Sequence, residues 1–138
     1  MHLSQLTTDF DWLPVVACTG LAFGLGALWY SRVLFGKVWM QEVGLTEEAV
    51  GDANMGLIFG GTIVLQLLVV TALSALLGPG SDWLTGLQTG LWIGLFWIAT
   101  AYGITYLFEQ RPLRLWLINA GYYVVLFAID GAVLGAWR

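Results

Sequence analysis

Residues 56–80 read GLIFGGTIVLQLLVVTALSALLGPG, and this stretch decides the fold class. From Gly56 to Leu77 no side chain is charged, and Gly78-Pro79-Gly80 is a strong helix stop. About 20 consecutive apolar residues are what a helix needs to cross a hydrocarbon core. In lipid every backbone N–H and C=O must be satisfied within the structure, so such a stretch spans as a helix. Three more runs of the same kind flank it, at about 12–30, 83–107 and 113–137. The expectation is an all-α integral membrane protein, residues 1–138 forming one domain with four transmembrane helices.

Composition agrees. Of the 138 residues 59% are hydrophobic and 10% charged, with a mean hydropathy of +0.81. A soluble domain averages about 25% charged residues, so this chain lacks the polar groups to cover a water-facing surface. A net charge of −4 excludes a nucleic-acid partner, which requires a basic face. The single cysteine, Cys18, has no partner for an intrachain disulfide. Residues 1–11 carry Asp9 and Asp11 but no Lys or Arg, and the apolar run behind them is too long for a signal-peptide core. It is therefore read as a retained first span.

Orientation follows from the cations. Arg32, Lys37, Arg111 and Arg114 lie in the connections between spans one and two and between spans three and four. The other side holds Arg138 with Asp9, Asp11 and Asp82. The excess of Lys and Arg places both basic connections in the cytoplasm and both termini outside. Trp12, Trp83 and Trp137 would form the outer aromatic belt, and Trp29, Tyr30 and Trp116 the inner one. Asp11 and either Ser81 or Asp82 are read as helix N-caps, with Pro14 and Pro112 in first turns.

The connection 31–55 is too long for a turn. Leu34, Phe35, Val38, Trp39 and Val43 recur at helical spacing, which predicts a short interfacial helix ended by Gly44. It would lie on lipid headgroups or on neighbouring protein. Thr46 with Glu47 and Glu48 reads as a second N-cap leading toward span two. Asp11-Trp12-Leu13 and Asp82-Trp83-Leu84 repeat at the starts of spans one and three. The triplet marks either a duplicated hairpin or two independent Asp caps beside belt tryptophans.

Small residues recur at packing intervals: Ala17, Gly20, Gly24 and Ala27 in span one, and Gly56 and Gly60 in span two. Gly86, Gly90 and Gly94 follow in span three, then Gly131 and Gly135 in span four. Close backbone approach through such residues supplies the contacts that hold helices together in lipid. They pack the four spans on one another, and Gly86/Gly90/Gly94 is the ridge best suited to a homo-oligomer contact.

Asp130 is the one acidic or basic side chain well inside a span, roughly 10 Å below the outer end at 1.5 Å per residue. An intramembrane carboxyl is a functional candidate by default. Gln88, at similar depth on span three, is its expected hydrogen-bond partner, so the pair either ties two helices or carries a proton. Gln66 and Asn119 are the remaining strongly polar groups in the spans. Glu109, Arg111, Arg114 and Arg32 share the cytoplasmic level. They form an ion-pair cluster pinning the hairpins or, alternatively, an anion or lipid-headgroup site.

Catalytic equipment is poor. His2 is the only histidine, and no metal-ligand spacing, activated nucleophile or phosphate loop is present. No catalytic residue, metal site or cofactor is expected, and the chain is read as not an enzyme.

Two stretches resemble a bacterial family, domain-of-unknown-function family 1761. The first is Gly26-Ala27-Leu28-Trp29-Tyr30-Ser31, then Phe35-Gly36-Lys37-Val38-Trp39 and Gly44-Leu45-Thr46-Glu47-Glu48. The second is Phe108-Glu109-Gln110-Arg111, running through Leu115, Ile118-Asn119-Ala120-Gly121-Tyr122 and Gly131. The resemblance implies a small four-helix protein of the bacterial inner membrane and brings no activity, substrate or cofactor. It shifts attention from Asp130 to Trp29, Tyr30, Phe35, Trp39, Glu109, Arg111 and Asn119.

The leading expectation is thus a non-enzymatic membrane module, embedded in the bilayer and partnered by itself or by another membrane protein. A second is an oligomeric small-solute carrier or channel with Asp130, Gln66, Gln88 and Asn119 along one path. A third is lipid or hydrophobic-ligand binding at the cytoplasmic interface around Trp39, Lys37, Arg32 and Arg111.

Overall fold

The computed structural model describes residues 10–138; His2 and Asp9 lie outside the described residues. The elements are α1 (Leu13–Trp29), α2 (Gly36–Val43), α3 (Glu47–Gly51), α4 (Met55–Leu76) and α5 (Trp83–Ile93). A π-helical segment (Gly94–Ala99), α6 (Thr100–Phe108) and α7 (Leu113–Ala136) complete the order. No strand occurs among the described residues. Three helices are long and apolar enough to cross a membrane: Met55–Leu76, the α5–π–α6 rod Trp83–Phe108, and Leu113–Ala136. Leu13–Trp29 is a shorter apolar helix of 17 residues.

Local chemistry explains the ends. Asp82 Oδ1 accepts the Thr85 N–H at 2.8 Å, Thr46 Oγ1 the Ala49 N–H at 3.1 Å, and Asn54 Oδ1 the Leu57 N–H at 3.1 Å. Each side chain satisfies one of the orphan donors of a first turn. Asn54 was not read as a cap from the sequence. At α1 the cap position falls on Trp12, while Asp11 Oδ1 accepts from Leu13 N only two residues on, at 3.0 Å. The two Asp-Trp-Leu triplets therefore start their helices by different geometries. Pro112 stands at the cap of α7, one residue before the first-turn position expected for it. Gly44 ends α2 at φ 74°, a left-handed conformation that costs glycine little.

The helix α7 is the hub. Its glycines meet those of α5 so closely that a methyl at Gly86 would overlap the Gly131 carbonyl and lie 3.2 Å from Gly135 Cα. A methyl at Gly90 would overlap the Phe127 carbonyl, and one at Gly94 would come within 2.9 Å of Val124 Cα. The Gly86/Gly90/Gly94 ridge is thus consumed inside the chain, which corrects the expectation that it faces another copy. Gly20, Gly24 and Gly60 are exposed with open space around them, and Gly56 meets only the Asn54 cap, so these four do not pack the described helices. The α1, α4 and α7 helices enclose the main core of Val15, Cys18, Val70, Leu73, Phe127 and Leu134. α2 lies on protein: Trp39 stacks edgewise on Tyr30 with ring centroids 5.4 Å apart, and Glu42 approaches Arg114 of α7 at 3.8 Å.

Two outcomes follow. Gly90→Ala should destabilise the folded protein by about 1–3 kcal/mol or more through backbone overlap, whereas Gly60→Ala should stay within about 0.5 kcal/mol; unfolding in detergent compares them. The Thr85 backbone and side-chain hydrogen bonds hold the Asp82 carboxyl below its ordinary range. A depressed carboxyl stabilises the fold above its unfolded pKa and loses that contribution as pH falls through the folded value. Asp82→Asn, which retains a capping oxygen, should flatten the acid limb of the unfolding midpoint against pH.

Candidate functional site

All five tyrosines of the chain, on three different helices, meet in one cluster. From Trp39 the rings run to Tyr30, Tyr122, Tyr123, Tyr102 and Tyr106, with successive centroids 5.0–5.6 Å apart. Each such aromatic pair contributes about 0.5–1.5 kcal/mol beyond its burial. Arg111 caps the row, its guanidinium carbon 5.5 Å from the Tyr106 ring centroid. Asn119 sits across it: Tyr30 OH donates to Asn119 Oδ1 at 2.8 Å, and Asn119 Nδ2 donates to Tyr106 OH at 2.8 Å. One amide thereby joins α1, α6 and α7.

Three aromatics, Tyr122 of that row and two tryptophans, cross between helices, each over a glycine. Trp29 Nε1 donates to Ile118 O at 2.9 Å, its ring 3.2 Å from where a Gly121 methyl would lie. Tyr122 OH donates to Ala22 O at 2.6 Å beside Gly26, and Trp116 Nε1 to Ala99 O at 2.8 Å over Gly103. Trp29 and Trp116, expected as an interfacial belt, are half-buried locks between helices. Trp12, Trp83 and Trp137 remain exposed.

The π segment explains how Tyr102 and Tyr106 reach this cluster. Gly86, Gly90, Gly94, Ile98, Tyr102 and Tyr106 recur every fourth residue. Each step of four overshoots a helical turn by about 40°, so a regular helix would carry Tyr106 about 200° away from Gly86. One i→i+5 turn absorbs an extra residue and returns about 100° of that drift.

The polar residues expected along one path scatter. Asn119 is spent on the tyrosines, and Gln88 is exposed, not paired with Asp130. Asp130 is 0% exposed and Gln66 6%. The carboxyl oxygens of Asp130 and Oε1 of Gln66 have no hydrogen-bond partner among the described residues. Cys18, overlooked as a neighbour of Asp130, points its Sγ at the Asp130 carbonyl at 3.9 Å.

The cations also separate. Arg32 pairs with Glu47, Arg111 with Glu109 at 2.9 Å, and Arg114 with Glu42 at 3.8 Å. These are three pairs in place of the expected cluster, and only Arg114–Glu42 ties the connection to α7. Lys37 is exposed on α2. Each of these three arginines already faces a carboxylate, which leaves little positive field for an anion at this level. Among the described residues no group of three or more His, Cys, Asp or Glu is placed to hold a metal.

The fold and this cluster define a helical protein with membrane-spanning character, built on glycine contacts and aromatic locks. The chain belongs to the family described as protein of unknown function (DUF1761), whose model matches residues 13–135. No curated protein and no solved structure matches it.

Loss of the amide bridge gives a further test. Asn119→Leu should cost about 1 kcal/mol. Tyr30→Phe on top of it should add little, because both remove the same bond; a double-mutant cycle by denaturant unfolding reads the coupling.

Proposed function

We propose that this chain is a four-span module of the bacterial inner membrane. It acts by lateral contact with another membrane helix and has no catalytic chemistry of its own. Its partner is a second copy or another membrane polypeptide. α1 serves as the fourth span, since its 17 residues stand at the lower end of the spanning range. The Lys and Arg count supports cytoplasmic basic connections and external termini.

The observation that carries this reading is the uncovered face of α1. Ala17, Gly20, Gly24 and Leu28 line an apolar groove of about 520 Å³ with Leu126 and Ile129 of α7. The chain itself illustrates the use of such a surface, because glycines at the same spacing let α5 and α7 approach to backbone contact. The scatter of Asn119 and Gln88 away from Asp130 weighs against a continuous solute path within one protomer. The arginine–glutamate pairs weigh against a headgroup site.

Native mass spectrometry of the protein extracted with its lipids should show a defined complex. Replacing Gly20 and Gly24 by Ile should dissolve that complex while leaving the protomer's helical fold intact, because a Cβ added at either position meets no neighbouring helix within 4 Å. A single monomeric species in lipid, or a complex indifferent to the pair of substitutions, would contradict the reading.

A further inference from the structure

Asp130 is wholly buried, and neither of its carboxyl oxygens has a hydrogen-bond partner among the described residues. It stands four residues from Leu126 and four from Leu134, so the three share one face of α7. Leu126 packs in one buried cluster with Ala22 of α1, and Leu134 in another with Val15 and Cys18. Between these levels Cys18 Sγ lies 3.9 Å from the Asp130 main-chain oxygen. Asp130 therefore belongs to an antiparallel seam between α1 and α7.

Strong hydrogen bonds hold one part of this seam only. Trp29 Nε1 donates to Ile118 O at 2.9 Å, Tyr30 OH to Asn119 Oδ1 at 2.8 Å, and Tyr122 OH to Ala22 O at 2.6 Å. Toward the N-terminus of α1 the contacts are apolar, apart from the Cys18 thiol, a weak donor. Thr19 Oγ1 is spent on Val15 O within α1.

No free cation stands by the carboxyl among the described residues. The only titratable side chain of α1 is Cys18, and α4, α5 and the π segment have none. The Asp82 carboxyl at the start of α5 is turned to the Thr85 N–H. Along α7 the titratable groups within about two turns are Tyr122, Tyr123 and Arg138, and Arg138 is held by the hydroxyl and carbonyl of Ser74.

A closed seam accommodates the neutral acid. The anion there lacks counter-charge, strong donors and water, and costs far more. We infer that ionisation of Asp130 parts the N-terminal half of α1 from α7, with the Trp29, Tyr30 and Tyr122 hydrogen bonds as the hinge. The groove along α1 shares this seam: Ala17 on one wall adjoins Cys18, and Ile129 on the other adjoins Asp130. Opening separates those walls, so the seat for a partner helix lasts while Asp130 keeps its proton. That consequence rests on the lateral contact proposed above.

The test is hydrogen exchange of the whole protein in detergent, read by mass spectrometry from about pH 5 to about pH 9, the range in which buried carboxyls titrate. Protection factors, corrected for the intrinsic pH dependence of exchange, should fall in residues 15–21 by up to about tenfold per pH unit, the limit for one linked proton. Residues 25–29, beside the hinge, should keep theirs. Asp130→Asn should hold residues 15–21 protected throughout, and Cys18→Ala should respond to pH as the wild type does, which assigns the effect to the carboxyl. Protection independent of pH in the wild type would overturn the inference, as would an equal loss along all of α1 or the same loss in Asp130→Asn. Native mass spectrometry at both ends of the range tests the consequence for the groove. The wild-type complex should come apart at high pH and the Asp130→Asn complex persist. A wild-type complex that survives while protection falls would overturn the coupling. A monomer at every pH would contradict the lateral contact and not the hinge, which the protection factors decide alone.

Discussion

Contact of backbone with backbone along the glycines of α5 and α7 is the constraint on which the rest of the structure depends. Lipid chains are as apolar as leucine, so no hydrophobic force gathers these helices; dispersion between closely approaching backbones must do so. Gly86, Gly90 and Gly94 on one side, with Gly131 and Gly135 on the other, permit that approach because each lacks the one methylene that would collide. The pair so formed makes α7 a fixed post. α1 then hangs from it by Trp29, Tyr30 and Tyr122, and α4 closes the core through Val70 and Leu73.

A single spacing serves two ends of the α5–π–α6 rod. Its fourfold repeat begins as glycines, where closeness is needed, and ends as Tyr102 and Tyr106, where the gap between α6 and α7 is filled by rings. The π segment reconciles that spacing with helical geometry, and the Trp116 indole takes up the Ala99 carbonyl within it. The same exchange of small for large recurs wherever an aromatic lock crosses between helices, a glycine on the facing helix making room for the ring.

Much of this was legible in the sequence. Apolar length marked every long helix, and the cap at Thr46 and the stop at Gly44 followed from local hydrogen bonding. The cap before Trp83 was narrowed to Ser81 or Asp82, of which the structure uses Asp82. Family membership followed from short motifs around Trp29 and Asn119. Asp130 and Gln66 were recognisable as costly residues from composition and depth alone. What could not be read was which face each helix turns to which neighbour. Gly86 and Gly20 look alike in the sequence, yet one is buried against backbone and the other open. Gln88 was paired with Asp130 on depth, but rotation about the helix axis leaves it exposed. The tyrosine cluster was missed because its members lie on three helices, although Tyr102 and Tyr106 continue the Gly86–Gly94 spacing and could have been found by extending it. Cys18 was passed over as a lone thiol because its relation to Asp130 exists only in three dimensions.

The central claim is that glycine backbones of the third and fourth long apolar stretches touch, and glycine-selective isotope labelling tests it most directly. In a lipid bilayer, solid-state NMR on the protein labelled with carbon-13 only at glycine would report glycine pairs in close contact. The account predicts interhelical cross-peaks joining Gly86 to Gly131 and Gly135, and Gly90 to Gly131. Gly20 and Gly24 should show none to glycines of other helices within the protomer, which dilution with unlabelled protein distinguishes from contacts between copies. A folded, helical sample lacking the Gly86–Gly131 peak would contradict the account.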